Sequence, residues 1–517
     1  MKNIVHIIFL VAILSTCLHA CDLDTSPTNK VPEEIAFASV ENAEQVLNGT
    51  WAYLMDTPLT RANPGWATLF LTSDAMGNDI AVHPTRYHFI NHYSFCFMNQ
   101  SNSNTVLLLW TLAYKCIDNY NSIITKIDDL PSSTDNTGDL RKRVKAQALA
   151  MRGYLYLNLA TFYSFSYQKD PNILCVPIYT EYSTDQTPSN PRSPLKDVYN
   201  RAITDLKDSY DLFDSMSKPY ERNEKYKANK NVVAGILARA YLQMGEGYWS
   251  LAATYANEAQ SGSQWMPKAE YVKGFNDISN VEWIWGHKQA ADQNIASIAF
   301  EYLDVVNGVY HSFLADPYFK DFFIKEITLT NDTIYDTEDI RYSLFEWEKR
   351  VDETRRLPGS LLYKKFLFKP GFTAEVAIAD IVMMRKAEMV LIEAESLAEQ
   401  GLLESAISKL NELRSQRGAS IPNLSTLSKE ELIEEILVER RKELFGEGFS
   451  LSDILRRQKA VERKAVPLGT MVTINGVQYQ VQGHTIAKFP NGSSFIPNSP
   501  YYLFAAPIEE ITNNPSW

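Results

Sequence analysis

The stretch from Arg385 to Arg414 constrains the fold of this chain more than any other. Small and apolar residues recur in it at i, i+4, i+7 and i+11, namely Ala387, Leu391, Ala394 and Ala398. This period places them on one face of an α-helix. Gly401 then interrupts the pattern, and a second apolar face begins at Leu403. The stretch predicts a hairpin of two helices, and a single hairpin of this size needs stacked neighbours to bury its apolar face.

A second copy of this hairpin lies earlier in the chain, at an offset of 391 − 237 = 154 residues. The matching pairs are Leu237 and Leu391, Ala240 and Ala394, Gly247 and Gly401, and Ala252 and Ala406. Small residues around a turn glycine at this spacing are typical of a tetratricopeptide hairpin. A weaker copy of the first helix spans Ala146–Tyr163, and Ser428–Arg457 predicts a fourth hairpin. Since the copies are not in tandem, we predict a mainly α fold: a tetratricopeptide-like scaffold with long loop-rich insertions and a few short β-strands.

The helical period disappears between Ser261 and Gly371. Alternation of residue types over Val281–Trp285 predicts a short strand there. Near the end of the chain, Asn475-Gly476 predicts the turn of a β-hairpin within Gly469–Ile486. The tail from Pro500 is rich in proline and predicts no further helix.

The N-terminus has the features of a secretory signal peptide. Lys2 is followed by an apolar run from Ile4 to Leu14, which is too short to span a membrane. Cys21 directly follows the small residue Ala20, and this arrangement resembles the lipobox of bacterial lipoproteins, which implies that Cys21 is acylated. The alternative is an ordinary secreted protein with Cys21 at its start.

These features divide the chain into regions. The predicted parts are a signal peptide (1–20), a lipidated N-terminus and tether (21–38), an N-terminal region with helical repeats (39–260) and a C-terminal region (261–517). The C-terminal region contains a loop-rich insertion (261–380) and further helical repeats (383–457).

Composition excludes some classes of protein. The formal charge of −12 argues against nucleic acid as a partner, because binding a phosphate backbone needs clustered Lys and Arg. Once Cys17 is removed and Cys21 acylated, Cys96, Cys116 and Cys175 remain. Their number is odd and their spacing does not fit a metal site, so we predict buried thiols.

Motifs of common enzymes are missing from the sequence, including G-x-S-x-G, H-E-x-x-H and the P-loop. The nearest set of metal ligands is His83, His88 and His92, but zinc would need a fourth ligand. Acidic pairs carry little information among 62 acidic residues, and Glu393 and Glu395 are predicted to be solvated charges on a repeat helix. We therefore predict no catalytic residue, no metal and no cofactor.

A charged motif follows the helix predicted from Ser428. Its residues are Glu439-Arg440-Arg441, Glu443-Leu444, Glu447-Gly448, Asp453-Ile454 and Arg456. In order and spacing they resemble the C-terminal signature of the SusD/RagB family, lipoproteins of starch-utilisation-type systems in Gram-negative outer membranes. The chain departs from that pattern at Ser450, where the family usually has arginine, and at Arg457, where tryptophan is common. From the residues themselves we predict that these charges pair with one another rather than clamp a ligand.

The resemblance extends over nearly the whole chain, from Cys21 and Gly49-Thr50-Trp51 to the closing motif Pro507–Pro515. It implies a non-catalytic lipoprotein on the surface side of the outer membrane. Such a protein binds oligosaccharide or polysaccharide and delivers it to a SusC-like TonB-dependent transporter, with the scaffold hairpins against the transporter. Three alternatives stay open: a RagB-like protein that binds peptides, a lipid-anchored glycoside hydrolase, and a repeat adaptor that binds only protein.

Sugar binding needs aromatic faces and polar side chains on loops held by a rigid scaffold. Two loop-rich regions offer both, Trp66–Tyr93 and Trp265–His311. The candidate ligand-binding residues taken from them are Trp66, His83, Arg86, Tyr87, Trp265, Trp285 and His287. Because Trp283 and Trp285 share one face of the predicted strand, we expect at least one of them in the core.

Overall fold

The computed structural model describes residues 32–56, 63–83, 89–184, 186–220, 224–290, 296–330, 332–350, 356–371 and 378–517. The predicted signal peptide, Cys21, His88 and two candidate ligand-binding residues, Arg86 and Tyr87, lie outside these residues. Within them, no helix combines the length and the apolar character needed to cross a membrane.

Helices account for most of the regular structure. In chain order they are α1 (Glu33–Ala36), α2 (Val40–Asp56), α3 (Ala67–Ala75), α4 (Ile90–Tyr93), α5 (Asn104–Lys126), α6 (Asp139–Phe162), α7 (Leu195–Asp214), α8 (Lys230–Met244), α9 (Trp249–Gln260), α10 (Lys268–Tyr271), α11 (Phe300–Leu303), α12 (Lys386–Glu399), α13 (Leu403–Arg417), α14 (Lys429–Leu444), α15 (Ser450–Arg456) and α16 (Ile508–Asn513). The short helix α16 corrects the prediction that the tail has no further helix.

The strands are short. They are β1 (Ile80–Val82), β2 (Leu174–Pro177), β3 (Arg192–Pro194), β4 (Trp283–His287), β5 (Phe313–Ala315), β6 (Ile324–Ile327), β7 (Thr333–Tyr335), β8 (Phe345–Trp347), β9 (Leu361–Tyr363), β10 (Ile381–Arg385), β11 (Met471–Ile474) and β12 (Val477–Gln480). One sheet has the order β1-β5-β9-β8, and the other strands pair two by two. The predicted hairpin is present as β11 and β12, with Asn475 and Gly476 at positive φ in its turn.

The long helices form a continuous stack. Helix α5 packs on α6, α6 on α7, α7 on α8 and α8 on α9. Helix α9 then packs directly on α12, although residues 261–385 separate them in the sequence. The insertion therefore leaves the scaffold between two neighbouring hairpins, which confirms the mainly α scaffold with long insertions.

The repeat pattern corresponds to buried faces and matching turns. Ala387, Leu391, Ala394 and Ala398 are fully buried in an apolar cluster formed by α12, α13 and α14. The two turn glycines of the offset pair, Gly247 and Gly401, have φ of 86° and 79°. Glycine adopts this left-handed conformation without the steric cost of a Cβ atom.

Two predictions about the exposure of side chains are wrong, one for the glutamates of the repeat helix and one for a cysteine. Glu395 is fully buried and accepts hydrogen bonds from Arg456, while Glu393 is 8% exposed and accepts one from Gln260. Both glutamates lie on α12, whose surface is covered by α9, α13 and α14, so no solvated face remains for them. Among the thiols, Cys116 and Cys175 are buried as predicted, but Cys96 is exposed because it lies in a surface loop after α4.

Candidate ligand-binding site

Three of the candidate ligand-binding residues have structural partners of their own. Trp66 is 2% exposed and donates from Nε1 to Tyr154 Oη (3.2 Å). His83 is buried at the end of β1, and its backbone N–H donates to Ser312. Trp265 donates from Nε1 to Glu412 (3.1 Å) at the side of the helical scaffold. As ligand contacts these three residues remain predictions.

Trp285 and His287, in contrast, line one cavity. Both belong to β4, where positions two residues apart point to the same face. The cavity has a volume of 390 Å³ and lies between α2, α5, α6 and β4. That volume is within the range of about 300–1,000 Å³ that is usual for small-molecule sites.

The lining of this cavity is aromatic and polar. Its aromatic residues are Trp51, Tyr120, Tyr226 and Trp285. Its polar residues are Asn48, Asp56, Gln147, Lys227, His287 and Lys288. We call this cavity the Trp51 pocket.

Local structure explains how distant parts of the chain meet at the Trp51 pocket. Trp51 lies one helical turn after the buried Leu47, so α2 carries both on the same side. Strand β4 is held by antiparallel pairing with β10, where His287 faces Ile381. The Gly286 N–H also donates to Lys225 O (3.0 Å), which brings the segment that contains Tyr226 against the strand.

Ring contacts fix the orientation of Trp51. Its ring centroid lies 5.4 Å from that of Trp285 and 5.8 Å from that of His287. Trp285 in turn meets Tyr154 edge to face at 5.2 Å. These distances are those of favourable aromatic pairs. Trp285 is 1% exposed whereas Trp51 is partly exposed, so Trp51 is the tryptophan that a ligand in the pocket can reach.

Several buried polar atoms of the lining side chains have unused hydrogen-bonding capacity. Trp51 Nε1, Asp56 Oδ1, Tyr120 Oη and both ring nitrogens of His287 have no hydrogen-bond partner among the described residues. His287 Nε2 and Asp56 Oδ1 are 3.5 Å apart. A buried polar group left without a partner costs about 1–3 kcal/mol. Polar side chains thus lie beside the aromatic rings in the wall of this one cavity.

Burial also affects the titration of the pocket phenol. Tyr120 is fully buried, and this desolvation raises the pKa of its hydroxyl well above the usual 10. The hydroxyl therefore stays protonated over the physiological range and can both donate and accept a hydrogen bond.

Sequence reasoning missed Trp51, Asp56 and Tyr120 as pocket residues. Trp51 contributed only to the family resemblance, and Tyr120 has the spacing of a core residue on α5. The only usable indication was that Trp51 lies between two polar residues of the same helix, Asn48 and Asp56.

Two family models together match most of the chain. One, described as starch-binding associating with outer membrane, matches residues 23–242, and the SusD family model matches residues 253–516. The SusD-like protein P38 of Formosa agariphila is 23% identical over 500 residues, which cover 89% of this chain and 92% of that protein.

Solved structures share the fold. A SusD-like carbohydrate binding protein from Bacteroides vulgatus is 38% identical, with a TM-score of 0.82 over 93% of this chain and 97% of its own. A putative sugar binding protein from the same species has a TM-score of 0.74 at 24% identity, over 93% of this chain and 98% of its own. A SusD superfamily protein from Bacteroides thetaiotaomicron also has a TM-score of 0.74, at 22% identity, over 92% and 98%. At identities below 25%, the last two support the fold alone.

Proposed function

This chain belongs to the SusD/RagB family, and we propose that it is a non-catalytic lipoprotein of the outer membrane that binds oligosaccharide or polysaccharide. In this proposal Cys21 carries the lipid anchor and the folded part faces the cell surface. The bound glycan passes to a SusC-like TonB-dependent transporter. The SusD-like carbohydrate binding protein from Bacteroides vulgatus, with 38% identity, supports glycan as the ligand.

The Trp51 pocket is the single observation that carries the choice of ligand. A sugar ring presents C–H groups on its faces, which pack on an aromatic ring, and hydroxyls around its edge. The pocket offers the partly exposed ring of Trp51 together with polar side chains in its lining, among them Asn48, Asp56 and Lys288. The proposed site thus keeps Trp285 and His287 and adds Trp51, Asp56 and Tyr120.

A glycoside hydrolase is less well supported by this pocket. Hydrolysis of a glycosidic bond generally uses two carboxyl groups on opposite sides of the bond, about 5–10 Å apart. Asp56 is the one carboxylate among the described residues that line the pocket. The pocket therefore supports binding without catalysis.

The proposal is tested with lipid-free protein that starts at Asp22, run through native gels that contain a panel of polysaccharides. We expect at least one polysaccharide to retard the protein and the Trp51→Ala variant to lose that retardation. Trp347→Ala is the matched control, because it removes another partly buried tryptophan that lies outside the pocket. It should migrate like the wild type, and Trp265→Ala is run beside it to test the second sequence-predicted region.

Three other outcomes would count against the proposal. Retardation by no polysaccharide would contradict glycan binding and direct the search to peptides. Loss of retardation in Trp265→Ala but not in Trp51→Ala would move the site to the sequence-predicted region around Trp265. Release of reducing sugar during incubation would contradict a non-catalytic role.

A further inference from the structure

We propose that the Trp51 pocket binds the end of a glycan chain rather than a stretch of the chain interior. This inference rests on the proposed function, since it specifies which part of a glycan the same site takes. It follows from the shape of the pocket, in which three walls are joined to one another above a floor of buried side chains.

Three segments form the walls of the pocket. The first, the α2 wall, presents Asn48, Trp51 and Ala52, which share one face of the helix because they are spaced by three and four residues. The second, the 226–228 wall, is the segment of those residues that precedes α8. The third, the β4 wall, is the end of that strand with the following Lys288. A groove through which a chain could pass would need gaps between these walls on two sides.

Polar contacts join the 226–228 wall to both of its neighbours. Lys227 Nζ lies 3.3 Å from Glu44 Oε1, and this ion pair connects the segment to α2. Lys225, the residue directly before the segment, accepts a hydrogen bond at its carbonyl oxygen from the Gly286 N–H (3.0 Å). Because Gly286 belongs to β4, the second contact connects the segment to the β4 wall.

The remaining junction joins the α2 wall to the β4 wall. His287 Nε2 lies 3.5 Å from Asp56 Oδ1, at the last residue of α2. The ring centroids of Trp51 and Trp285 are 5.4 Å apart, which is the spacing of a packed aromatic pair. Within the part of the chain that the structure describes, the three walls therefore form a ring around the pocket.

The floor of the pocket consists of buried side chains from two scaffold helices. Tyr120 of α5 is fully buried, and Gln147 and Met151 of α6 are 3% and 5% exposed. Gln147 Nε2 also donates to Ala228 O (2.9 Å), which fixes the 226–228 wall on the floor. A chain that enters through the mouth of the pocket therefore meets packed helices among the described residues.

A pocket of this shape favours a sugar residue at the end of its chain. An interior residue has a neighbour on each side, and both neighbours would have to leave through the same mouth. A terminal residue has one neighbour, so it can insert while the rest of the chain stays outside. The volume of 390 Å³ gives room for about two sugar residues, and residues beyond these add little to binding.

The test counts the protein molecules that bind to each glycan chain. The linear polysaccharides amylose, inulin, mannan and pectic galactan are each cut into fractions of increasing length, and every fraction is titrated with lipid-free protein by calorimetry. We expect the number of proteins bound per chain to stay constant as the chain grows, and the affinity per chain to level off beyond about two residues. A number that rises with chain length would overturn the inference, while the proposed glycan-binding function stands. Binding of no fraction would overturn both.

A variant at the mouth tests whether the chain end lies in this pocket. Ala52→Phe places a ring in the mouth at a partly exposed position of α2, so the variant should fold but bind every fraction about tenfold or more weakly. Ala36→Phe, at a partly exposed position of α1 outside the pocket, is the matched control and should bind like the wild type. Full affinity in Ala52→Phe would overturn the inference even if the number of proteins per chain stays constant, because the chain ends would then bind elsewhere.

Discussion

Arg385 and Glu443 are both fully buried, and Arg385 Nη1 lies 2.6 Å from Glu443 Oε1. Glu443 also accepts hydrogen bonds from Arg341 and Arg417, each at 2.9 Å, so one carboxylate faces three guanidinium groups. Burial alone would raise the pKa of Glu443, but the three arginines hold it well below its usual 4.5. Arg341 comes from the insertion, whereas Arg417 and Glu443 come from α13 and α14. The cluster therefore fixes the position of the insertion on the helical scaffold.

Replacing Glu443 by glutamine should destabilise the protein strongly. The variant leaves three buried arginines without their shared carboxylate, and breaking a buried ion pair in this way costs about 3–5 kcal/mol. The free energy of unfolding, measured by urea denaturation at neutral pH, should fall by about that amount.

A matched control is Glu434→Gln on the same helix. Glu434 pairs with Lys459, and the side chains are 57% and 41% exposed. Exposed pairs contribute about 0–1 kcal/mol, so this variant should unfold almost as the wild type does. If both variants lost the same amount of unfolding free energy, the buried cluster would contribute no more to stability than an exposed ion pair does.

Substitution by alanine should cost different amounts of stability at the two turn glycines that follow α12 and α14. Gly401 has a φ of 79°, and a Cβ there would meet no atom within 4 Å. Gly401→Ala should therefore cost only the left-handed backbone penalty of about 1–2 kcal/mol. At Gly448, with φ of 87°, a Cβ would lie 2.6 Å from the Cβ of Phe70 and 2.8 Å from its Cα. Gly448→Ala should lower the urea midpoint further than Gly401→Ala, and the reverse order would contradict this packing.

The proposed lipid anchor gives a prediction for whole cells. Cys21→Ala removes the residue that we propose to be acylated, and with it the acyl chains that would hold the protein on the membrane, each buried methylene contributing about 0.8 kcal/mol. The variant should move from the membrane fraction to the soluble fraction, as judged by fractionation and immunoblotting. A conservative Lys30→Arg change in the tether is the control and should stay with the membranes.

The scaffold could be predicted from the sequence because its signals are local. Helical period, turn glycine and a fixed offset all lie within one hairpin and its copy, and the buried face of α12 follows them closely. The Trp51 pocket could not be predicted in the same way. Trp51 and Trp285 stand 285 − 51 = 234 residues apart, and their ring contact depends on how α2 meets β4. No local pattern specifies that contact, so the sequence predicts only the pocket residues on β4, Trp285 and His287.

Asp74 is 4% exposed on α3 and accepts hydrogen bonds from the backbone N–H groups of Gly448 (2.8 Å) and Ser450 (3.2 Å). Burial raises the pKa of its carboxyl from 3.8 to about 7, and outweighs the opposing effect of these two bonds and of Lys365. The folded state thus holds the proton more tightly than the unfolded state. The stability that this proton contributes is fully present below about pH 3.8 and is lost as pH rises through about 7.

Asparagine has no titrating proton, so the Asp74→Asn variant should not lose this stability as the pH rises. The stability of the variant relative to the wild type should rise by about 2–4 kcal/mol between pH 4 and pH 8, since one pKa unit corresponds to about 1.4 kcal/mol. Urea denaturation of both proteins at pH 4, 6 and 8 measures this difference, and the buried Asp316, with its own pKa raised to about 7, cancels because both proteins contain it. Asp128→Asn, a change at a side chain that is 57% exposed, should follow the wild-type profile. Parallel profiles for Asp74→Asn and wild type would mean that Asp74 stays ionised, with the N–H groups of Gly448 and Ser450 sufficient to stabilise its charge.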